Sequence, residues 1–431
     1  MAEPLPVSES RIKKHVWAPT YELGIFSERE FLESTGYELR NLGYSQYEIH
    51  DWGISLLGRM DDVYRLNISL ASASRIVIRL ITMKAGATEQ VFKGVSQFPW
   101  ELWLPLNPHR CTLDVRVHMQ ASLVHHEGQA AKAINQGIQT RLERVLNCSP
   151  GVSKENPADT QGVYVQRVYG HFTRNTLVLS LDTSGEHLHR RGYRLNPGPA
   201  PLAEHKAGAL VQLCSRVCPD PRWIVDGMAG SGTFGFEAAM KVLGIPPGRS
   251  RHFAFQNWPS YREKPFGHWS RSTLLPQHFM SYSNRDEQGS RGSGNDPGSV
   301  GVYALDISRK SREAWKQNYQ GFHKLSASRL EQVQDKDFLN LDPGSLGLEG
   351  QGWLFLNPPY DYRIPGQMDT LYGSLAKCLQ TRWIGGYPGG ICLLLVPHKR
   401  LFPLFDGFDR CFPDFPFNHG GTKVHVLGLS F

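Results

Sequence analysis

The residues Leu356-Asn357-Pro358-Pro359-Tyr360 follow directly on the apolar run Trp353-Leu354-Phe355. The run reads as a buried strand and the residues after it as a rigid polar corner. Two successive prolines fix φ and remove two backbone donors. The residue before a proline is pushed to extended geometry. The carbonyls and the Asn357 side chain are then acceptors with no local N–H to quench them, and Tyr360 adds an aromatic ring at once. These groups suit the gripping of a planar amine on an aromatic base by its hydrogens, while a second ring stacks beside it. Asn357, Pro358, Pro359 and Tyr360 are therefore the candidate catalytic residues. The chemistry they fit is methyl transfer to that amine, provided a methyl donor is held nearby.

A donor site is suggested by Asp226-Gly227-Met228-Ala229-Gly230-Ser231-Gly232-Thr233-Phe234-Gly235, which lies between a strand and a helix. Glycines let the backbone approach a ligand closely, and a helix N-terminus offers free N–H groups. The string Gly230-x-Gly232-x-x-Gly235 also satisfies the dinucleotide fingerprint. A tight turn without a ligand is the plain alternative. Two acids favour S-adenosylmethionine over a nicotinamide dinucleotide. Asp226, at a strand tip, is suited to the positively charged amino group of a methionine moiety. Asp306 ends a second strand, Val302 to Ile307, and is suited to both ribose hydroxyls. A dinucleotide acid would follow the glycines by about 20 residues; Asp306 comes much later, so an insertion intervenes. Its alternative role is a helix N-cap. Asp337 could accept an adenine amino group with Phe338 flanking the ring, or be an ordinary loop acid. Met228, Ala229, Gly230, Ser231, Gly232, Thr233 and Ile307 complete the candidate cofactor site.

The elements that must position these groups fall into two sets. Phe26 to Leu42 interleaves Phe31, Leu32, Tyr37 and Leu39 with charges and predicts an amphipathic helix. Ile54–Gly58, Ile76–Ile81 and Leu113–Met119 predict strands, Val63–Ala73 and Gln129–Leu146 helices. Val163–Val168 and Thr176–Leu181 predict a hairpin. This mixed order predicts an α+β region. The Pro-rich stretch Asn196 to Pro201 marks a boundary. Beyond it, helix Leu202–Cys218, strand Trp223–Asp226, the glycine turn and helix Phe234–Val242 have the rhythm of a parallel α/β sheet. A third strand is predicted near Leu330–Val333. Residues 281–299 are rich in Ser, Gly, Asn and Arg and read as a mobile insertion.

A chain of 431 residues has room for two or three cores. A net charge of +7 permits a polyanionic partner without requiring one. The seven cysteines form no CxxC pair, so reduced buried thiols are expected rather than disulfides or zinc. No metal is expected. Met1 to Pro19 lacks the apolar segment of a secretory signal. The longest apolar run, Ile391 to Val396, is too short to span a bilayer. A cytoplasmic location without a membrane partner is the expectation.

On these residues the chain resembles the bacterial THUMP-domain guanine-N2 methyltransferases of large-subunit ribosomal RNA, and their tRNA-modifying relatives. The likeness includes the proline corner and the segment Asp182 to Arg194 followed by Ala200-Pro201-Leu202. It also includes the acid-x-Met-x-Gly-Ser-Gly-Thr loop with Glu237-Ala238-Ala239 behind it. Pro247-Gly248-Arg249-Ser250-Arg251 and Phe255-Gln256-Asn257-Trp258 complete it. Gly227 stands where the family usually has Pro, and Ala229 where it has Cys; neither supplies a side chain the chemistry needs. The resemblance is strong after Leu181. Before it, Val16 to Leu181 is similar to the ferredoxin-like plus THUMP arrangement, best at Ala71 to Val77.

The resemblance implies a fold in two parts. An α+β ferredoxin-like/THUMP RNA-binding region (residues 16–195, after a flexible residues 1–15) precedes a Rossmann-like class I methyltransferase domain (196–431). The second part is α/β, with a mostly parallel sheet and an antiparallel C-terminal strand. S-adenosylmethionine is the implied donor and a guanine N2 in structured RNA the implied acceptor, with no obligate protein partner. Arg190, Arg191 and Arg194, beside His187, His189 and Tyr193, are candidate RNA contacts; an interdomain brace is the alternative. Pro397-His398-Lys399-Arg400 is a second cationic turn. The corner alone leaves adenine N6 and cytosine N4 open. An oxidoreductase has no use for the corner, and a non-catalytic RNA-binding factor has none for Asn357 and Asp306.

Overall fold

The computed structural model describes residues 7–105, 111–124, 126–146, 164–198, 201–271, 301–326, 330, 333–360, 367–384 and 390–431. The expected insertion at 281–299 lies outside the described residues.

Alternation with a period of two builds the first sheet. Its strands are β1 (Tyr21–Phe26), β2 (Glu48–His50), β3 (Gly53–Gly58), β4 (Arg75–Lys84), β5 (Cys111–Gln120), β6 (Tyr164–Thr173) and β7 (Thr176–Asp182). They lie in the order β2-β3-β1-β4-β7-β6-β5. Only the β5–β6 pair is parallel. Leu23 and Ile25, Ile54 and Leu56, Ile76 and Ile78 all enter one core. The helices α1 (Glu9–Ile12), α2 (Leu32–Asn41), α3 (Met60–Ser69), α4 (Thr88–Gln97) and α5 (Glu127–Leu146) accompany this sheet. Val7, Ile12 and Val16 are buried in the same core, so residues 7–15 are anchored, unlike the flexible end that their charges suggest. Helix α2 begins later than expected because Phe26 ends β1.

The second sheet has β8 (Trp223–Asp226), β9 (Gly301–Ala304), β10 (Gly352–Leu356), β11 (Ile391–Val396), β12 (Arg410–His419) and β13 (Thr422–Ser430), in the order β12-β13-β11-β10-β8-β9. The four strands from β9 to β11 are parallel, and β13 runs antiparallel to β11. Strands buried on both faces read as continuous apolar runs. Accordingly Trp353, Phe355, Ile391 and Leu393 enter one core, while Leu354, Leu356, Cys392 and Leu394 enter another. Helices α6 (Glu204–Val217), α7 (Thr233–Val242), α9 (Arg309–Ser326) and α10 (Gln367–Cys378) complete the unit, whereas α8 (Glu263–Arg271) lays Phe266 and Trp269 against the first core. Of the strand expected near Leu330–Val333, residues 331–332 lie outside the described residues; next to it Gln334 forms a parallel bridge with Leu305. Among the described residues no helix is long and apolar enough to cross a membrane.

The two units interlock. Phe253, Phe255 and Trp258, which follow α7 in sequence, are buried in the first core. Gly248 permits this crossing: its N–H donates to Ile68 O at 2.8 Å, and a Cβ there would lie 2.7 Å from Asn67 O. Trp258 Nε1 donates to Gln166 Oε1 at 2.8 Å. Arg191 is the brace between units. Its side chain is 1% exposed and faces the Glu237 carboxylate at 3.4 Å. It also donates to Leu188 O and to Ala71 O, each at 2.5 Å. Truncating one partner of a buried pair leaves the other charge uncompensated. Arg191→Ala should therefore lower unfolding free energy in urea by about 3–5 kcal/mol. A loss under about 1 kcal/mol, the range of surface pairs, would refute the brace.

Candidate active site

Strands β8 and β10 are parallel neighbours with Phe355 in register with Asp226. The glycine loop and the proline corner thus leave the same edge of the sheet side by side. Gly227 N donates to Phe355 O at 3.0 Å, and Ala229 N to Leu305 O at 2.9 Å. From β8 the chain adds β9 on one side and β10 on the other. That is a topological switch point, where open α/β sheets bind ligands beyond the strands' carboxyl ends.

Each glycine of the loop does a different job. A Cβ at Gly227 would lie 2.6 Å from Phe338 and 2.8 Å from Leu356, and one at Gly232 2.6 Å from Trp315. Those two are packing constraints. Gly230, at φ 55°, has no atom of the described residues within 4 Å of its would-be Cβ, so among these residues the loop leaves space there. Ala229, Ser231 and Thr233 are buried, and Met228 is half-buried.

Asp226 is 1% exposed. Its Oδ2 accepts from Gly235 N at 3.0 Å, while its Oδ1 is buried without a partner among the described residues. Burial pushes this carboxyl up to about 7, and the nearby Asp306 charge pushes the same way. Asp306 accepts from Gly230 N at 2.8 Å and from Ser308 N at 2.7 Å. It pins the loop rather than capping α9; the cap is Ser308, whose Oγ accepts from Ser311 N at 3.3 Å. Burial raises the Asp306 pKa. Each of its oxygens has a second lone pair for a hydroxyl. Ile307 beside it is 68% exposed. Asp337 accepts from Leu339 N and from Asn340 Nδ2, each at 3.0 Å. Phe338 is a core residue, 1% exposed and stacked on Trp383; it supports the loop from beneath instead of presenting a free face.

At the corner, Asn357 and Tyr360 are half-buried, Pro358 is buried and Pro359 exposed. The Tyr360 hydroxyl donates to Asn357 Oδ1, and its ring meets His419 edge-on at 5.5 Å. The acceptor expected to be free is therefore held by the neighbouring phenol. One lone pair of that oxygen is left for a second donor.

The three arginines diverge. Arg190 is exposed and pairs with Glu186. Arg191 is the buried brace, and Arg194 turns inward to Glu204 at 2.7 Å and Thr233 at 2.8 Å. The RNA-contact reading is corrected for Arg191, which is buried, and is not favoured for Arg194, whose Nε, Nη1 and Nη2 all donate to protein acceptors. His398, Lys399 and Arg400 are exposed, with Lys399 paired to Asp414 and Arg400 to Asp369. Two groups had no sequence signal. Trp315 Nε1, beside Gly232, is a buried donor without a partner among the described residues. Asn318, fully buried, donates to Ser231 O at 2.9 Å. Among the described residues no cluster of three or more His, Cys, Asp or Glu side chains is placed to hold a metal ion.

A parallel α/β sheet bearing a glycine loop and a proline corner at its switch point is a methyltransferase fold. The solved structure of SMU.472 complexed with SAH superposes with a TM-score of 0.73, at 22% identity over 95% of this chain and 98% of that one. Residues 191–421 match the family described as RMKL-like, methyltransferase domain, and residues 33–77 the RlmL ferredoxin-like domain. The chain belongs to the RMKL-like methyltransferase family. It is 28% identical to ribosomal RNA large subunit methyltransferase K/L of Syntrophotalea carbinolica over 87% of this chain and 50% of that protein. It is 26% identical to slr0064 of Synechocystis sp., named among RNA methyltransferases, over 90% and 91%. The chain spans about half the length of the K/L relatives it matches.

The orphaned Asp226 has a stability consequence. A carboxyl whose folded pKa is raised costs stability once ionised. The cost is small below the ordinary carboxylate range, grows as pH rises and is complete above about 7. Asp226→Asn keeps the acceptor for Gly235 N and cannot ionise. It should exceed the wild type in urea stability by on the order of 3 kcal/mol at pH 8, with the gap narrowing as pH falls toward 5. A gap that does not change with pH would show that Asp226 is not the group responsible.

Proposed function

We propose that this protein transfers a methyl group from S-adenosylmethionine to the exocyclic N2 amine of a guanine in large-subunit ribosomal RNA. The observation that carries the reaction class is the β8–β10 pairing, which sets an open glycine loop beside an amine-gripping corner. The RNA and base rest on likeness to the K/L relatives. The ferredoxin-like region, with the THUMP arrangement it resembles, is assigned to the capture of structured RNA, and such a substrate implies a cytoplasmic location.

The residues present fit the donor. Asp226 Oδ1 is an unmatched acceptor suited to a cationic amino group, and Gly230 leaves room for a ligand against the backbone. Asp306 is assigned to the ribose hydroxyls. Asp337 and the exposed Ile307 are assigned to the adenine, with Phe338 acting through Gly227. Met228, Ala229, Ser231, Gly232 and Thr233 shape the loop. When bound, S-adenosylmethionine supplies a methyl on a sulfonium, already electrophilic, so neither a covalent nucleophile nor a metal is called for.

The chain's own work is on the acceptor. An exocyclic amine is a poor nucleophile because its lone pair is delocalised into the base. Asn357 Oδ1 and the Pro358 carbonyl are assigned to its two N–H groups, which turns the lone pair toward the methyl. Each such bond contributes about 1 kcal/mol net, more where water is excluded; positioning supplies much of the rest. Tyr360 releases Asn357 and stacks on the base, which is flipped out or unpaired.

Asn357→Ala should reduce methyl transfer on the order of a hundredfold while SAH binding, measured by calorimetry, stays within about twofold. Transfer at a near wild-type rate would refute the assignment. Mass spectrometry of rRNA and tRNA nucleosides from a strain lacking the gene should show loss of one N2-methylguanosine in large-subunit rRNA. Loss of a tRNA N2-methylguanosine or of N6-methyladenosine would instead assign those substrates.

A further inference from the structure

The segment Arg194 to Gly198 joins the units, yet it is no free hinge. Leu195 N and Asn196 N both donate to Asn318 Oδ1, each at 2.7 Å. Nδ2 of the same side chain donates to Asn196 O at 2.7 Å and to Ser231 O at 2.9 Å. Asn318 is 0% exposed, and both acceptor sites and both donors of its amide are engaged. Arg194 reaches the same loop from the other side. Its Nη1 donates to Ser231 Oγ at 3.3 Å and its Nη2 to Thr233 Oγ1 at 2.8 Å. Glu204 and Leu202 O hold the guanidinium in place. Gly198, at φ 71°, lies against the loop, where a Cβ would stand 3.4 Å from Ser231 Cβ. Linker, α9 and glycine loop therefore share one hydrogen-bond network, and Asn318 is where all three meet.

The carbonyl that Asn318 holds belongs to the Ser231–Gly232 peptide. Gly232 at φ 92° is wedged against Trp315 and Phe236. Fixing that peptide sets the turn whose next residue outward, Gly230, bounds the open space. A loop without this tie visits other arrangements, and apparent affinity falls by the fraction of time it is out of place.

We propose that Asn318 is a positioning residue for the methyl donor, acting through the Ser231 carbonyl and backed by Arg194, without touching the ligand. This rests on the reading of the loop as the donor's site. Asn318→Asp is the test variant: its carboxylate still accepts from Leu195 N and Asn196 N but donates to neither Ser231 O nor Asn196 O. Calorimetry with SAH on the full chain should give a Kd raised at least about tenfold. KM for the donor should rise with kcat at saturating donor retained, and affinity for an rRNA fragment should not change. Asn67→Ala serves as the stability control. Asn67 is a buried asparagine of the first unit bonded to Thr183 and Ser184, and its loss should lower stability without moving the SAH Kd. An Asn318→Asp Kd within twofold of wild type overturns the proposal, as does an equal weakening by Asn67→Ala. If Asn318→Asp does not fold, Arg194→Gln carries the same test, with an unchanged Kd again overturning it. Wild-type protein that takes up no SAH overturns the reading of the loop itself, and the clamp falls with it.

Discussion

Four residue pairs between β8 and β10 hold the chemistry of this molecule in place. The pairing brings Asp226 level with Phe355, so the glycine turn and the proline corner emerge next to each other. A slip of one residue would do more than shift them by a strand step. It would turn Trp353 and Phe355 out of one core and Leu354 and Leu356 out of the other, because side chains alternate faces. Two differently shaped cores thus protect the register. The precision of the site comes from the sandwiching of a continuous apolar strand, and only secondarily from polar contacts within the site.

The parts legible in the sequence are those where local chemistry dictates geometry. The prolines at 358 and 359, the glycines at 230 and 232, and the apolar runs of β10 and β11 specify their conformations by themselves, and the glycine loop and the proline corner follow the paired strands β8 and β10. What escaped notice depended on partners remote in sequence. Arg191 and Arg190 are adjacent, yet one is buried against Glu237 and the other lies in solvent. Nothing in the residue type separates them; the distinction comes from α7 packing over one of them. Asn318 sits in a helix of ordinary polar composition, and its importance appears only once the linker and loop are both in contact with it. Phe338 looked like a ring available to a ligand because it follows an acid in a loop. Gly227, by lacking a side chain, leaves the space that the Phe338 ring fills.

Buried charge is used in two opposite ways. Glu237 is partnered by Arg191, with Tyr193 donating to the same carboxylate at 3.0 Å, which offsets part of the burial that pushes its carboxyl up to about 7. Asp226 is left half-matched, with one oxygen capping α7 and the other without a donor. The first arrangement suits a permanent joint. The second leaves a carboxylate oxygen buried without a donor among the described residues, at a cost that rises with pH.

The interlock between units carries an implication for modularity. Residues that follow α7 in the chain complete the core around the first sheet, where Tyr64 stacks on Phe255 at 4.4 Å. A cut at the linker would strip Phe253, Phe255 and Trp258 from the first core, leaving an open apolar cavity there, and would expose those rings on the other fragment. The catalytic half is therefore a poor candidate for exchange onto another RNA-binding module by simple fusion. In lineages that reshuffle such halves, the strap around 246–271 would have to travel with the first sheet, although it is encoded inside the second.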